Sequence, residues 1–471
     1  MNEKIACNPY LPSYEYVPDG EPYVFGDRVY VYGSHDRFNG YGYCQNDYVC
    51  WSAPVENLGD WRYEGVIYPR NEDPLNQDGD MYLFAPDVTK GPDGRYYLYY
   101  VLDHVGVVSV AVCDTPAGQY RFYGYVHYED GIRLGEAAGD EPQFDPGVLT
   151  EGKETFLYTG FCMPNNKNRH GAMVTELKED MLTIKRKPQF VVPSKPYEEG
   201  TGFEGHAFFE ASSIRKVDDK YYFIYSSILN HELCYAISDS PFGPFSYQGA
   251  IVSNNDMFID TYKPADRAMY YGGNNHGSIE QINGEWYIFY HRHTNGTNYS
   301  RQGCIEKIEI LPNGMIPQVE MTSQGASGTP FVGKGSYPAY IACNLFCKDY
   351  SSTVGGPGDF MDNRFPRITQ DQPDGTPGQG YISNMKDGST AGFKYFDCHK
   401  VTHISVTTRG AEGTMLIRTK WDGEIVGSIS LGNNNEWKSY EAVVSMEDGV
   451  WPLYFEYKGR GHLSFSEFTL S

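Results

Sequence analysis

Three segments of the chain share one design: PDGRYYLYY at residues 92–100, VDDKYYFIY at 217–225 and INGEWYIFY at 282–290. Each is a tight turn followed by a strand rich in Tyr and Phe. Two looser copies are GDRVYVYG at 26–33 and GKETFLYTG at 152–160. Aligned on Tyr30, Tyr97, Phe156, Tyr222 and Tyr287, the copies stand 67, 59, 66 and 65 residues apart. A second segment repeats in step with the first. AVCDTPAGQYRFYG from Ala111 and AISDSPFGPFSYQG from Ala236 are offset by 125 residues, the separation of Tyr97 from Tyr222. A unit of this length holds a small antiparallel sheet that cannot bury its own faces and must stack on its neighbours. Five such units closing radially predict an all-β chain with a five-bladed β-propeller over residues 1–325.

Before each aromatic anchor stands one polar residue in a short apolar or Gly-rich setting: Asp19 in YVPDGEP, Asp87 in FAPDVTK, Asp145 in FDPGVLT, Glu210 in FFEASSI and His276 in NNHGSIE. They precede their anchors by 10 to 12 residues, on the segment that leads into the turn. In a propeller these innermost segments line one central channel, so the five side chains should converge at its mouth. Flanked by Phe84, Phe144, Phe208 and Phe209, the set suits a sugar pocket, where aromatic faces stack on rings and carboxylates bind hydroxyls. Structural use of single members, hydrogen-bonded to water or an ion on the axis, is the alternative for each.

Cleavage of a glycosidic bond needs one carboxylic acid to protonate the leaving oxygen and one carboxylate to activate water or attack. Glu210 has the most apolar setting, AFFEAS, which raises a carboxyl pKa, and is the natural acid. Asp19, between Pro18 and Gly20, is the natural base, and Asp87 is left to tune and orient Glu210.

These residues carry a resemblance. YVPDGEPYVFGDRVYVYGSHD, FAPDV, FFEASS and NNHGS resemble the blade-start motifs of glycoside hydrolase family 43 over about residues 8–320. The resemblance implies an inverting exo-glycosidase acting on pentose-containing oligosaccharides: a β-xylosidase first, an α-L-arabinofuranosidase second. It implies Asp19 as base, Asp87 as the pKa-tuning residue and Glu210 as acid. It also implies His276 at the channel centre, beside a hydrated calcium ion, and Arg301 as the residue holding sugar hydroxyls, with Arg292 as second choice. Phe84 stands where many family members have Trp. A non-catalytic sugar-binding propeller is the competing class, disfavoured because a lectin needs no acid and base on opposite sides of a bond.

Charge and composition exclude other partners. With 38 Lys plus Arg against 61 Asp plus Glu, the net charge of -23 repels nucleic acid and anionic lipid, and no run of apolar residues is long enough to span a bilayer. Ten scattered cysteines read as reduced thiols of a cytoplasmic protein. In HRH at 291–293 both imidazoles share one strand face, and no metal is expected there because no carboxylate adjoins in sequence.

After LPNGMIPQVEMTSQGASG the repeat stops, which places a second domain at residues 326–471. Its alternating short strands predict a β-sandwich of jelly-roll type. They resemble carbohydrate-binding module family 6, which implies Tyr381, Trp421 and Trp437 as sugar platforms. Core aromatics, or a module that only packs on the propeller and closes one side of its pocket, are the alternatives.

Overall fold

The computed structural model describes residues 5–270, 272–348 and 363–471. Among them nearly all regular structure is strand, and the helical elements are single 3-10 turns such as Arg70–Glu72 and Ala339–Ile341. None is long and apolar enough to cross a membrane.

Four antiparallel four-stranded sheets occupy residues 21–68, 87–125, 147–193 and 208–253, and a three-stranded sheet occupies 279–308. The aromatic anchors fall on the second strand of each, and the five innermost strands are Glu21–Phe25, Asp87–Lys90, Gly147–Glu151, Phe208–Val217 and Ile279–Ile282. Each is joined to its anchor strand by a turn with a residue in the left-handed region: Gly26, Gly94, Gly152, Asp218 and Asn283. Gly, Asp and Asn tolerate that conformation best, so the turn chemistry written in the repeats sets each hairpin.

The innermost segments bond to one another around a circuit. Tyr23 donates to Asp87 Oδ1 at 2.7 Å, Val148 N to Asp87 Oδ2 at 2.6 Å, Ala211 N to Asp145 Oδ2 at 3.0 Å, and Ser213 to the Ser278 hydroxyl at 2.7 Å. A parallel bridge between Gly20 and Gly277 returns from the last sheet to the first. The N-terminal segment adds a staple: the Asn8 side chain bonds Ile305 N at 2.8 Å and Ile305 O at 3.0 Å on the outer strand of the three-stranded sheet.

Two six-stranded sheets follow, between Phe331 and Leu470. They face each other across Phe393 and Phe455 on one side and Phe465 and Phe468 on the other, with ring centroids 4.7 to 6.1 Å apart. One apolar cluster runs without a break from Tyr222, Ile288 and Ile308 into Phe331, Phe393 and Leu470. The join is also polar: fully buried Lys394 reaches Glu320 at 2.9 Å and Asp256 at 3.2 Å, and Asn344 bonds Asp256 at 3.1 Å.

Candidate active site

A cavity of about 380 Å³ opens where the innermost segments meet. Asp19, Asp145, Glu210, His276 and Arg301 line it, with an aromatic wall of Phe84, Phe144, Phe161 and Phe209. Successive rings of that wall lie 5.2 to 5.3 Å apart. Phe208 points instead into the core, against Phe223 and Tyr225, because neighbouring side chains of a strand take opposite faces.

Backbone irregularity aims the acids. Asp19 and Asp145 sit just before their strands with φ of 57° and 41°, in the left-handed region that Asp tolerates better than most side chains. Glu210 lies between two register shifts in the pairing of Phe208–Val217 with Lys220–Ser227, and Ala211 after it has φ 68°. A bulge of this kind turns a side chain off the regular pleat.

The acids are tuned apart. Burial pushes Asp19 upward, but Arg301 Nη1 at 2.9 Å, with His291 and His276 nearby, overrides it and holds the carboxyl well below the usual range. Burial and the Asp19 charge push Glu210 up to about 7, and its carboxyl takes a long hydrogen bond from Asn274 at 3.4 Å. Burial, with Glu210 and Asp19 close by, also raises Asp145 well above an ordinary Asp. Burial lowers His276 to about 4, so its imidazole is neutral at pH 7.

Asp87 is not among the lining residues. The expectation that it shares the pocket is corrected by its hydrogen bonds: the carboxylate is fully buried one layer along the channel, taking donors from Tyr23, Val88 N and Val148 N. Its neighbours there are Glu21 and Arg215, which bond each other at 2.8 Å. Asp145 occupies the place beside Glu210.

Arg301 faces the cavity, held by Asp36 through Nε at 2.8 Å and Nη2 at 2.9 Å, with Tyr43 stacked at 4.9 Å. Arg292 points the other way and donates to the carbonyls of Ala342 and Tyr340 at 2.8 and 2.7 Å. His291 does have a carboxylate neighbour, Asp19 Oδ1 at 3.3 Å, and its other nitrogen meets Asn274 O at 2.9 Å. Sequence reasoning missed Asp36, Tyr43, Phe161, Asn274 and His291 as site residues, although HRH held His291 and the motifs YVPDGEPYVFGDRVYVYGSHD and NNHGS already contained Asp36 and Asn274.

His276 fits a hydrated cation. Its Nε2 lies 3.9 Å from Glu21 Oε1, a buried oxygen without a hydrogen-bond partner among the described residues, and its Nδ1 lies 3.8 Å from Asp145 Oδ2. The Nε2 side, with the Glu21 oxygen beside it, suits one ion completed by water, while Asp145 lies at the other ring nitrogen and is not a ligand to the same ion through this imidazole. Among the described residues a separate cluster, His206, Glu232 and Cys234, also brings metal-binding atoms together, but Glu232 there already accepts from His206 at 2.6 Å and Ser227 at 2.5 Å.

On the paired C-terminal sheets, Arg409 lies over Tyr381 at 4.7 Å and over Trp437 at 4.4 Å, covering both rings. Trp421 stands edge-on to Phe346 at 4.7 Å beside a cavity of about 240 Å³.

Circularly joined small sheets around a cavity holding one carboxyl tuned down and one tuned up make an acid–base enzyme site on a propeller-type fold. Residues 15–316 match the glycosyl hydrolases family 43 model, and the chain belongs to that family. It is a glycoside hydrolase. It is 63% identical over 468 residues to a xylosidase/arabinosidase of Thermoclostridium stercorarium, covering 99% of each chain. A family 43 arabinoxylan arabinofuranohydrolase from Bacillus subtilis, solved with cellotetraose, shares the fold over 100% of both chains at 20% identity and TM-score 0.52. A family 43 β-xylosidase/α-arabinofuranosidase from a compost metagenome, solved with xylotriose in a calcium-free form, shares it over 67% of this chain and 97% of its own, at 23% identity and TM-score 0.52.

Proposed function

We propose that this cavity releases terminal pentoses from xylo- or arabino-oligosaccharides with inversion, β-xylosides first and α-L-arabinofuranosides second. The observation that carries the reading is the opposed tuning of two acids in one pocket: Asp19 is held ionised, while Glu210 titrates at about 7 and keeps its proton below that pH. Asp19 then activates water, Glu210 protonates the leaving oxygen, and Asp145, rather than Asp87, keeps the Glu210 proton in place through mutual repulsion. Arg301 orients Asp19 and is placed to meet sugar hydroxyls, while the phenyl wall takes the apolar face of the ring. The relative named for both xylosides and arabinosides supports both substrates.

Five circularly bonded sheets support a five-bladed propeller for residues 1–325, and the facing C-terminal sheets support a sandwich domain at 326–471. Glu21 and His276 are the residues that would hold a calcium ion, whose charge would stabilise the ionised form of the acids around it. Ten free cysteines, eight of them buried, suit a reducing cytoplasm and substrates of oligosaccharide size.

The test is hydrolysis of nitrophenyl β-xyloside, α-L-arabinofuranoside and β-galactoside, followed by proton NMR of the first-formed anomer. Release of xylose with inverted configuration is expected, with the two carboxyls roughly 6.5–9.5 Å apart around the water. Net retention sinks the mechanism, and galactoside preference sinks the substrate class.

A further inference from the structure

Two loops complete the cavity wall on one side. One, residues 35–47, supplies Tyr43 and Cys44; the other, residues 294–300, supplies Asn298 and leads into Arg301. The loops touch through Tyr43 and Tyr299, edge to face at 4.9 Å, and through Asn295 Nδ2, which donates to Asn39 Oδ1 at 2.8 Å.

Neither loop is regular strand, and both are held from outside by the same short stretch of the C-terminal sheets. Asp374 accepts Phe38 N at 2.7 Å through Oδ1 and Asn46 Nδ2 at 3.1 Å through Oδ2, gripping the first loop on both sides of Tyr43. Asn295 N donates to Ile368 O at 2.7 Å, and the Thr369 hydroxyl donates to Asn295 Oδ1 at 2.8 Å. A Cβ on Gly296 would come within 2.4 Å of the Arg367 guanidinium, so glycine is what lets this stretch lie so close. Gln370 accepts the Tyr16 hydroxyl at 2.7 Å, anchoring the stretch to the segment that carries Asp19.

We propose that Asp374 and Thr369, on residues 367–374, are positioning residues for the active site: they touch no substrate themselves and fix the loops that present Tyr43 and Asn298 to the sugar. The C-terminal sheets are thus a working part of the pocket. The inference rests on the reading of the cavity as the pentoside site.

Two measurements on the whole 471-residue chain test it. Without substrate, Asp374→Ala should speed hydrogen exchange at the Phe38 amide and across both loops, while exchange in the innermost strands stays unchanged. With the preferred nitrophenyl glycoside, Asp374→Ala should raise KM about tenfold and leave kcat within about twofold, because binding to a misplaced wall is lost before chemistry. Asp374→Asn keeps a carbonyl acceptor for Phe38 N but sets its amide NH2 against Asn46 Nδ2, so its KM should fall between those of the parent and Asp374→Ala. Thr369→Val should raise KM a few-fold. In a Tyr43→Ala background, Asp374→Ala should add little, since residues acting through one another are not additive.

Additive losses, or a fall in melting temperature with KM unchanged, overturn the proposal and leave Asp374 a structural contact. Unchanged exchange at Phe38 overturns it as well. A parent protein inactive on every glycoside defeats the functional reading alone, and the exchange measurement still decides whether Asp374 holds the loops. Should Asp374→Ala fail to fold, Thr369→Val carries both readouts.

Discussion

Two carboxylate clusters lie one behind the other on the innermost strands, and they are built on opposite terms. In the deep one, Asp87 accepts three hydrogen bonds at 2.6 to 2.7 Å, and Arg215 sits between Glu21 and the ring of Tyr23, with its guanidinium 4.2 Å from the ring centroid. In the outer one, Glu210 takes a single long hydrogen bond among the described residues, and Asp145 and Asp19 crowd around it. A buried acid with a full set of donors holds sheets together. Burial raises acids in both clusters, Asp87 to about 6 and Glu21 to about 8 as well as Glu210 to about 7, and what sets Glu210 apart is that it lines the cavity, where its proton can reach a substrate.

Substitution separates the clusters most sharply in the outer one. Glu210→Gln keeps shape but cannot protonate a leaving group, so unactivated xylosides should lose on the order of a hundredfold to ten-thousandfold in kcat, and aryl glycosides with good leaving groups much less. Equal losses on both would make Glu210 a binding group.

Asp87→Ala should move stability in place of chemistry. Removing one partner from a buried charged cluster costs about 3–5 kcal/mol, read as a drop in the denaturant midpoint, while kcat of the folded fraction stays near that of the parent. A folded Asp87→Ala protein with kcat lowered a hundredfold would return Asp87 to the catalytic set.

A pH profile draws the same line. Because Glu210 must be protonated and titrates at about 7, kcat/KM should fall about tenfold per pH unit above that point. Asp19 stays ionised well below the usual carboxylate range, so the acid limb should lie far to the acid side. Stability carries matching signs. Raised Glu210 favours the folded state below its unfolded value, and that contribution is lost as pH rises towards 7. Depressed Asp19 stabilises above its unfolded value and loses this as pH falls. Glu210→Gln should abolish the alkaline limb.

The smallest effect concerns the channel between the clusters. A strong chelator should lower activity reversibly without unfolding, added calcium should restore it, and His276→Ala should remove the response. Full activity after exhaustive chelation would leave His276 a buried neutral imidazole.

Most of this architecture was legible because hairpin turns and strand periods are local. A turn residue, an aromatic strand and a fixed interval repeat wherever a sheet repeats. Asp87 shows where counting fails. It stands 10 residues before its anchor, whereas Asp19, Asp145 and His276 stand 11 before theirs. Its anchor Tyr97 pairs with Thr89, eight residues earlier, whereas Tyr30 and Phe156 pair with Tyr23 and Leu149, seven earlier, so in strand register Asp87 stands two residues further in than Asp19 or Asp145, on the same face and level with Glu21. Glu210 stands 12 before its anchor and still reaches the cavity, because register shifts on both sides re-aim it. Asp36 and Tyr43 were hidden for another reason. They lie in a loop without period, and their importance comes from Arg301, which is distant in the chain and adjacent in space.

The apolar cluster that crosses from Ile288 and Ile308 to Phe393 and Leu470 has a consequence for how such a chain is assembled and reused. Elements that share one interior melt together, so heat should meet a single cooperative transition with no seam along which the C-terminal sheets peel away. For a protein engineer the last third of the chain is therefore no cassette to be spliced onto another hydrolase. Drift on either side of the join has to be answered on the other, and the two halves inherit each other's history.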